Sequence, residues 1–132
     1  MSDHDKQTLI AWRLEQAKNT LEEARLLQSA GKSTLGTVNR SYYAMFYAVL
    51  ALLQEIGETP RKHSGAIALF DQKFVKTGKV DKQFSKHLHR AFKLRQISDY
   101  HPVESLSINE AEELLENAAV FVQKIVSILQ AC

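Results

Sequence analysis

A run of 14 residues without a charged side chain, Ser41 to Gln54, restricts the fold of this chain more than any other feature. A helix that crosses a bilayer needs about 20 apolar residues, so we expect this shorter run to lie in a protein core. Its predicted helix extends from about Leu35 to Ile56 and is apolar on most sides. Such a helix either lies at the centre of a bundle or buries a further face against a partner subunit. Two stripes carry the apolar residues, one formed by Val38, Tyr42, Met45, Val49, Leu52 and Ile56 and the other by Tyr43, Phe46, Leu50 and Leu53.

Helical periodicity also marks both ends of the chain. The first predicted helix runs from about Asp5 to Ala30, and Gly31 suits its end because glycine tolerates the left-handed conformation found there. The last runs from Ile108 to Gln130 and begins with a capping box formed by Ser107 and Glu110. The apolar stripe of the first helix consists of Ile10, Leu14, Ala17, Leu21 and Ala24.

Two more helices are predicted between these, and the first of them is the short one. One runs from about Ser64 to Thr77, with Ile67, Phe70 and Phe74 as its apolar seam. The other begins at Asp81 and ends near Asp99, because Pro102 disfavours helical geometry at the residue before it. No segment alternates in the manner of a strand. The 132 residues therefore predict a single all-α domain, an up-and-down bundle of four long helices plus one short helix.

Charge is unevenly distributed along the chain. The formal net charge is only +2, but the segment from Gly57 to Arg95 has ten Lys or Arg residues against three acidic ones. This segment therefore carries +7 and the rest of the chain −5. Such asymmetry can mark one face for a phosphate backbone, although lysine-rich helix faces are also commonly just solvated.

Cysteine usage and the first residues indicate the compartment. Cys132 is the only cysteine, so neither an intrachain disulfide nor a cysteine metal cluster can form. The segment Met1 to Ile10 is polar and lacks the apolar core of a secretion signal, so we expect a cytoplasmic protein without membrane attachment. His87 and His89 lie two residues apart and face different directions on a helix. We predict no metal site and no cofactor.

Two stretches resemble a known family. Residues 39–50, NRSYYAMFYAVL, resemble the second helix of HEPN domains, and residues 95–101, RQISDYH, fit the R-x4-6-H pattern of HEPN ribonucleases. The resemblance covers about residues 11–129 and implies a HEPN-like helical domain spanning residues 1–132. It further implies a metal-independent endoribonuclease in which Arg95 stabilises the phosphorane and His101 moves the proton. Family members usually dimerise with these motifs facing a shared cleft, and a nucleotidyltransferase antitoxin is their usual companion.

Each residue of the motif also has a simpler interpretation. Arg95 continues the apolar stripe of its helix, so it either pairs with Asp99 at i, i+4 or grips a phosphate with its planar fork of donors. His101 lies just past the predicted helix end, where the helix dipole favours the imidazolium and supports acid–base work. Gln96 and Tyr100 differ from toxin-type members and, with Asp99, are supporting residues.

The aromatic helix allows two interpretations as well. In the simpler one, Tyr42, Tyr43, Phe46 and Tyr47 fill the core. In the other, the tyrosine hydroxyl groups, with Arg40, face a cleft or a subunit interface. Function is open in the same way. The chain is either a ribonuclease or toxin-like partner in a toxin–antitoxin pair, or a non-catalytic module that binds a nucleotide or a nucleotidyltransferase. A homodimeric scaffold is a third alternative.

Overall fold

Five α-helices and one π-helical turn follow one another along the chain. The computed structural model describes residues 2–31, 33–100 and 106–131, with the side chains of residues 98–100 excepted. The described part contains no strand, as the sequence predicts. The elements are α1 (Asp3–Ala30), α2 (Thr34–Glu55), α3 (His63–Phe70), the π-helical turn (Asp71–Val75), α4 (Lys82–Tyr100) and α5 (Ile108–Gln130).

Helix α2 lies at the centre of this all-α bundle. It packs against α1, α3, α4 and α5, so its apolar sides are covered largely by its own chain. Of the two arrangements that the sequence allows for this helix, the structure has the central one. The first predicted stripe is buried from Val38 to Leu52, but Ile56 lies beyond the helix end and is exposed. Its inclusion in the stripe was wrong, because the helix stops one residue earlier.

Local capping determines where the long helices start and stop. Helix α1 ends where Gly31 adopts a left-handed φ of 65°, and α2 begins where the Ser33 hydroxyl accepts a hydrogen bond from the Gly36 amide at 2.9 Å. Helix α5 has the predicted bounds and the predicted capping box between Ser107 and Glu110. These interactions lie within a few residues along the chain, which explains why the sequence predicts them.

The helix predicted from Ser64 to Thr77 differs in the structure. Regular α-helix covers only His63–Phe70, and the chain then continues as the π-helical turn Asp71–Val75. A carboxylate of this turn contacts α4: Asp71 accepts a hydrogen bond from the Ser85 hydroxyl at 2.6 Å and pairs with His89 Nε2 at 2.6 Å. The turn is thereby joined to α4 by side chains that the sequence places 14 and 18 residues apart.

The prediction that the uncharged run lies in the core and does not cross a membrane can be compared with this fold. Within the described ranges, no helix combines the length and apolar character needed to span a bilayer. The uncharged run instead supplies core residues, among them Tyr42, Met45 and Leu52. His101, Pro102 and Cys132 lie outside the described residues.

Candidate functional site

A cluster of aromatic rings joins α2 to the start of α3 and to α4. Tyr42 is completely buried, and its ring centre lies 5.3 Å from that of Tyr43 and 5.9 Å from that of Phe46. Phe92 of α4 approaches the Tyr42 ring at 5.7 Å. Such edge-to-face and offset pairs stabilise a core by about 0.5–1.5 kcal/mol each beyond their buried area. The core interpretation is therefore right for Tyr42 and Phe46, whereas Tyr43 is only partly buried.

His63, the first residue of α3, completes this cluster. Its imidazole stacks on the Phe46 ring, with centres 4.0 Å apart and planes inclined by 6°. Its Nδ1 atom lies 2.7 Å from the Tyr42 hydroxyl oxygen, across 21 residues of chain. Tyr43 presents its ring edge-on to the same imidazole at 5.6 Å. The imidazole is thus held by contacts on two sides and by one hydrogen bond.

The surroundings of Tyr42 and His63 alter the protonation of both groups. Burial raises the pKa of the Tyr42 hydroxyl, and the positive charge of Arg95 opposes that increase only in part. Burial, and secondly the charge of Arg95, lower the pKa of the His63 imidazole. Both effects disfavour the charged forms. Near neutral pH the pair therefore consists of a protonated tyrosine and a neutral histidine.

Arg95 extends from α4 over the same tyrosines. Its Cζ atom lies 5.6 Å from the ring centre of Tyr42 and 5.4 Å from that of Tyr43. The structure thus places the Arg95 guanidinium beside two aromatic rings. A guanidinium at this range is attracted to the electron-rich ring face, which favours a defined position of its charge.

A second guanidinium approaches Tyr43 from α2. The Cζ atom of Arg40 lies 5.3 Å from the ring centre of Tyr43, and its Nε and Nη2 atoms donate to Asn39 Oδ1 at 3.0 Å and 2.8 Å. Its Nη1 atom lies 3.6 Å from a carboxylate oxygen of Glu23 in α1. The structure thus brings Arg40 and Arg95, which are 55 positions apart in the sequence, to one ring.

The other residues predicted for the site lie at the edge of the cluster, beside Arg95 or outside the described residues. Tyr47 is partly buried, and its ring lies 5.8 Å from that of Tyr43, at the edge of the cluster. Gln96 is exposed beside Arg95 on α4. The described residues do not include His101 or the side chains of Asp99 and Tyr100. The pairing of Arg95 with Asp99 therefore stays a prediction.

Most of the basic residues of α4 lie away from Arg95. At about 100° per residue, Lys82, Lys86, Arg90 and Lys93 share one side of the helix, and Arg95 lies roughly half a turn around from them. The three lysines are exposed, and Arg90 pairs with Glu113 of α5 at 2.7 Å. The cations that contact the aromatic cluster are instead Arg40 and Arg95. The basic residues of α4 are therefore divided between two sides of the helix.

The donor set at the cluster suits an anion. Two guanidinium groups supply positive charge and planar donors, the arrangement that proteins use for phosphates and carboxylates. Over residues 2–31, 33–100 and 106–131, no group of three or more His, Cys, Asp or Glu side chains is arranged to hold a metal ion.

His63 was missed by sequence reasoning, which predicted the start of α3 one residue later and assigned little importance to the histidines other than His101. Its partner atoms belong to Tyr42 and Phe46, on another helix. No spacing rule relates residues that far apart, so nothing in the local pattern around His63 indicates its role.

Comparison with known proteins agrees with this fold. The HEPN domain family model matches residues 10–129 of the chain. A UPF0332 protein of Thermotoga maritima is 34% identical over 127 residues, which cover 96% of both chains. Two proteins of Methanocaldococcus jannaschii whose names describe them as candidate toxins are 34% and 31% identical. These matches cover 84% and 85% of this chain and 75% and 82% of theirs.

Proposed function

This chain belongs to the HEPN domain family, and on that premise we propose that it is a metal-independent endoribonuclease of the toxin type. Arg95 and His101 are the proposed catalytic residues. The proposed supporting residues are Gln96, Asp99 and Tyr100. The proposed phosphate site is also lined by Arg40 and Tyr43.

The proposed reaction is an internal transfer at one phosphodiester of an RNA strand. The ribose 2′-oxygen attacks phosphorus as its proton is removed, and the bond from phosphorus to the 5′-oxygen breaks as that oxygen takes up a proton. The products are a 2′,3′-cyclic phosphate and a 5′-hydroxyl end. His101 transfers protons in this scheme, and Arg95 stabilises the extra negative charge of the phosphorane.

One observation carries the proposal: the guanidinium of Arg95 lies 5.6 Å and 5.4 Å from two tyrosine ring centres, at a place where Tyr43 is only partly buried. A guanidinium held over aromatic rings has a defined position, as a phosphate-binding group needs. The structure describes helix α4 as far as Tyr100, and His101 is the next residue in the sequence. Imidazole is the side chain most often used for acid–base catalysis.

Cleavage of purified cellular RNA by the wild type and three variants tests the proposal. We expect His101→Ala to lower the rate by about 10²–10⁴-fold, as loss of a general acid–base group does. Arg95→Lys should also be slow, since an ammonium lacks the planar fork. Lys93→Ala is the matched control, because it removes a positive charge from the opposite side of α4. If His101→Ala cleaves as fast as the wild type, the assignment is wrong.

Two further measurements concern the chemistry. Cleavage should persist in excess EDTA, and the 3′ ends should carry a cyclic phosphate detectable by mass spectrometry. Complete inhibition by EDTA that added Mg²⁺ reverses would contradict a metal-independent reaction.

The proposal includes a homodimer and a nucleotidyltransferase antitoxin as partner. The two archaeal relatives named as candidate toxins support the second point. The apolar surface of α2 is covered largely within the chain, so it gives a dimer little support. Exposed apolar side chains lie elsewhere, Leu26 on α1 and Val120 on α5 among them. Light scattering should give twice the mass of the chain, and co-expression with an adjacent transferase should give one complex in gel filtration.

A further inference from the structure

A second histidine has the geometry of a ligand-binding group. His63 is held on one side by stacking on Phe46, at 4.0 Å between ring centres, and at Nδ1 by the hydroxyl of Tyr42, at 2.7 Å. Both partners are buried, with Tyr42 completely inaccessible, whereas His63 itself is only partly buried. One end of its ring is thus fixed in the core, while the residue as a whole is partly exposed.

The hydrogen bond to Tyr42 determines which nitrogen of His63 carries the proton. The Tyr42 hydroxyl is buried, and its hydrogen-bond partner among the described residues is His63 Nδ1. We therefore assign the hydroxyl as the donor and Nδ1 as the acceptor, because the reverse would leave the hydroxyl hydrogen buried without a partner. A neutral imidazole that accepts at Nδ1 carries its hydrogen on Nε2. None of the described residues is hydrogen-bonded to His63 Nε2. The ring therefore presents a fixed, uncharged N–H donor.

This donor lies close to the proposed catalytic arginine. The imidazole and the Arg95 guanidinium lie near the same two rings. The ring centre of Tyr42 is 5.7 Å from the imidazole centre and 5.6 Å from Arg95 Cζ. The ring centre of Tyr43 is 5.6 Å from the imidazole centre and 5.4 Å from Arg95 Cζ. A phosphate presents two non-bridging oxygens, so one such group can accept hydrogen bonds from two neighbouring donors.

We propose that His63 is a ligand-binding residue of this site, whose Nε2–H donates to a phosphate oxygen while Arg95 contacts the same phosphate. The inference rests on the proposed function in taking Arg95 as the phosphate-binding group. It adds a residue outside the R-x4-6-H motif and a substrate class, an RNA phosphodiester or the phosphate of a mononucleotide. Tyr42 and Phe46 position the imidazole and do not touch the ligand.

Two substitutions separate ligand binding from support of the fold. In His63→Asn the shorter amide stands where Nδ1 was, so it can still pair with Tyr42 but has nothing at Nε2. In His63→Gln the longer amide places a nitrogen donor near the Nε2 position. His87→Asn is the matched control, because this histidine is also partly buried and its hydrogen-bond partner among the described residues is Gln83, 3.3 Å from Nε2.

Binding is measured by fluorescence anisotropy with a 12-nucleotide, fully 2′-O-methylated oligonucleotide, which cannot react because its 2′-oxygens are blocked. Competition with ADP forms the second arm and distinguishes a mononucleotide site from a strand site. We expect His63→Asn to raise Kd about tenfold, equivalent to about 1.4 kcal/mol. His63→Gln should lie between Asn and wild type, and His87→Asn should match wild type. Thermal unfolding of each variant reports on its fold.

The outcomes separate the two proposals. If Arg95→Ala loses binding and His63→Asn keeps wild-type affinity, the inference about His63 is overturned and the proposed function stands. If His63→Asn loses binding and Arg95→Ala does not, Arg95 is not the phosphate-binding group and the proposed function is overturned. If the wild type binds neither probe, both proposals are wrong.

A direct measurement covers the case in which a His63 variant does not fold. In the ¹⁵N-labelled wild type, the ring nitrogens of His63 should show the neutral Nε2–H tautomer. The Nε2 resonance should shift on titration with the oligonucleotide or with ADP, whichever binds. An Nε2 resonance that stays unchanged at saturating probe overturns the inference.

Discussion

The guanidinium groups of Arg40 and Arg95 share one aromatic ring, with their Cζ atoms 5.3 Å and 5.4 Å from the ring centre of Tyr43. Two like charges brought together by α2 and α4 repel each other, and the electron-rich ring offsets part of that cost. Glu23, 3.6 Å from Arg40, offsets a further part. A bound anion would do the same, which makes this position a favourable one for a phosphate.

The first prediction concerns the ring of Tyr43. Tyr43→Ala removes both cation–π contacts and should weaken oligonucleotide binding about five- to thirtyfold, since the two contacts together contribute roughly 1–2 kcal/mol. Tyr43→Phe keeps the ring and should bind within about twofold of the wild type. Anisotropy titrations at one fixed salt concentration measure both. Equal losses in the two variants would show that the hydroxyl, not the ring, matters.

The second prediction concerns the hydrogen bond between Tyr42 and His63. Tyr42→Phe leaves Nδ1 of the imidazole without its donor and should lower the free energy of unfolding by about 1–2 kcal/mol. A double-mutant cycle in urea with His63→Phe isolates the pair, and we expect a coupling of about 1 kcal/mol. A coupling near zero would mean that the 2.7 Å contact adds nothing to stability.

The third prediction is a dependence of stability on pH. Burial and the charge of Arg95 lower the pKa of His63 in the folded protein from its ordinary value of 6.5. Below pH 6.5 the unfolded chain binds a proton at His63 more readily than the folded chain does. The free energy of unfolding therefore decreases as the pH falls from 6.5 toward the lower pKa of the folded protein. Urea unfolding between pH 8 and pH 5 measures the effect.

The comparison variant for this experiment is His63→Asn. Contributions that the two proteins share cancel in the difference. We expect the stability advantage of the wild type over His63→Asn to shrink as the pH falls. An advantage that is constant across the range would contradict a lowered pKa at His63.

The fourth prediction concerns the link between the π-helical turn and α4. Asp71→Asn removes the charge that His89 contacts at 2.6 Å. We expect the free energy of unfolding to fall by only about 1 kcal/mol. The loss is small because the His89 side chain is 54% exposed, so water partly screens the pair. Glu112→Gln on α5 is the control, an exposed carboxylate without an ion pair among the described residues. Equal urea midpoints for the two variants would show that the link is not stabilising.

Local sequence signals were enough to predict most of the bundle. The bounds of α5 and its capping box were predicted as observed, and α1 begins within two residues of its predicted start. These features depend on side chains three or four positions from the backbone groups they satisfy, or on the left-handed conformation of Gly31. The π-helical turn was not predicted, because its stability involves contacts of Asp71 with α4.

For the site, the sequence by itself determined the residue types and the side of α4 on which Arg95 lies, since one helical stripe relates Arg95 to Leu88 and Ala91. Only the tertiary structure decided which rings Arg95 meets and that His63 joins them. Those contacts depend on how α2, α3 and α4 are rotated and packed against one another. That packing is a property of the whole core, and no rule of spacing along one helix contains it.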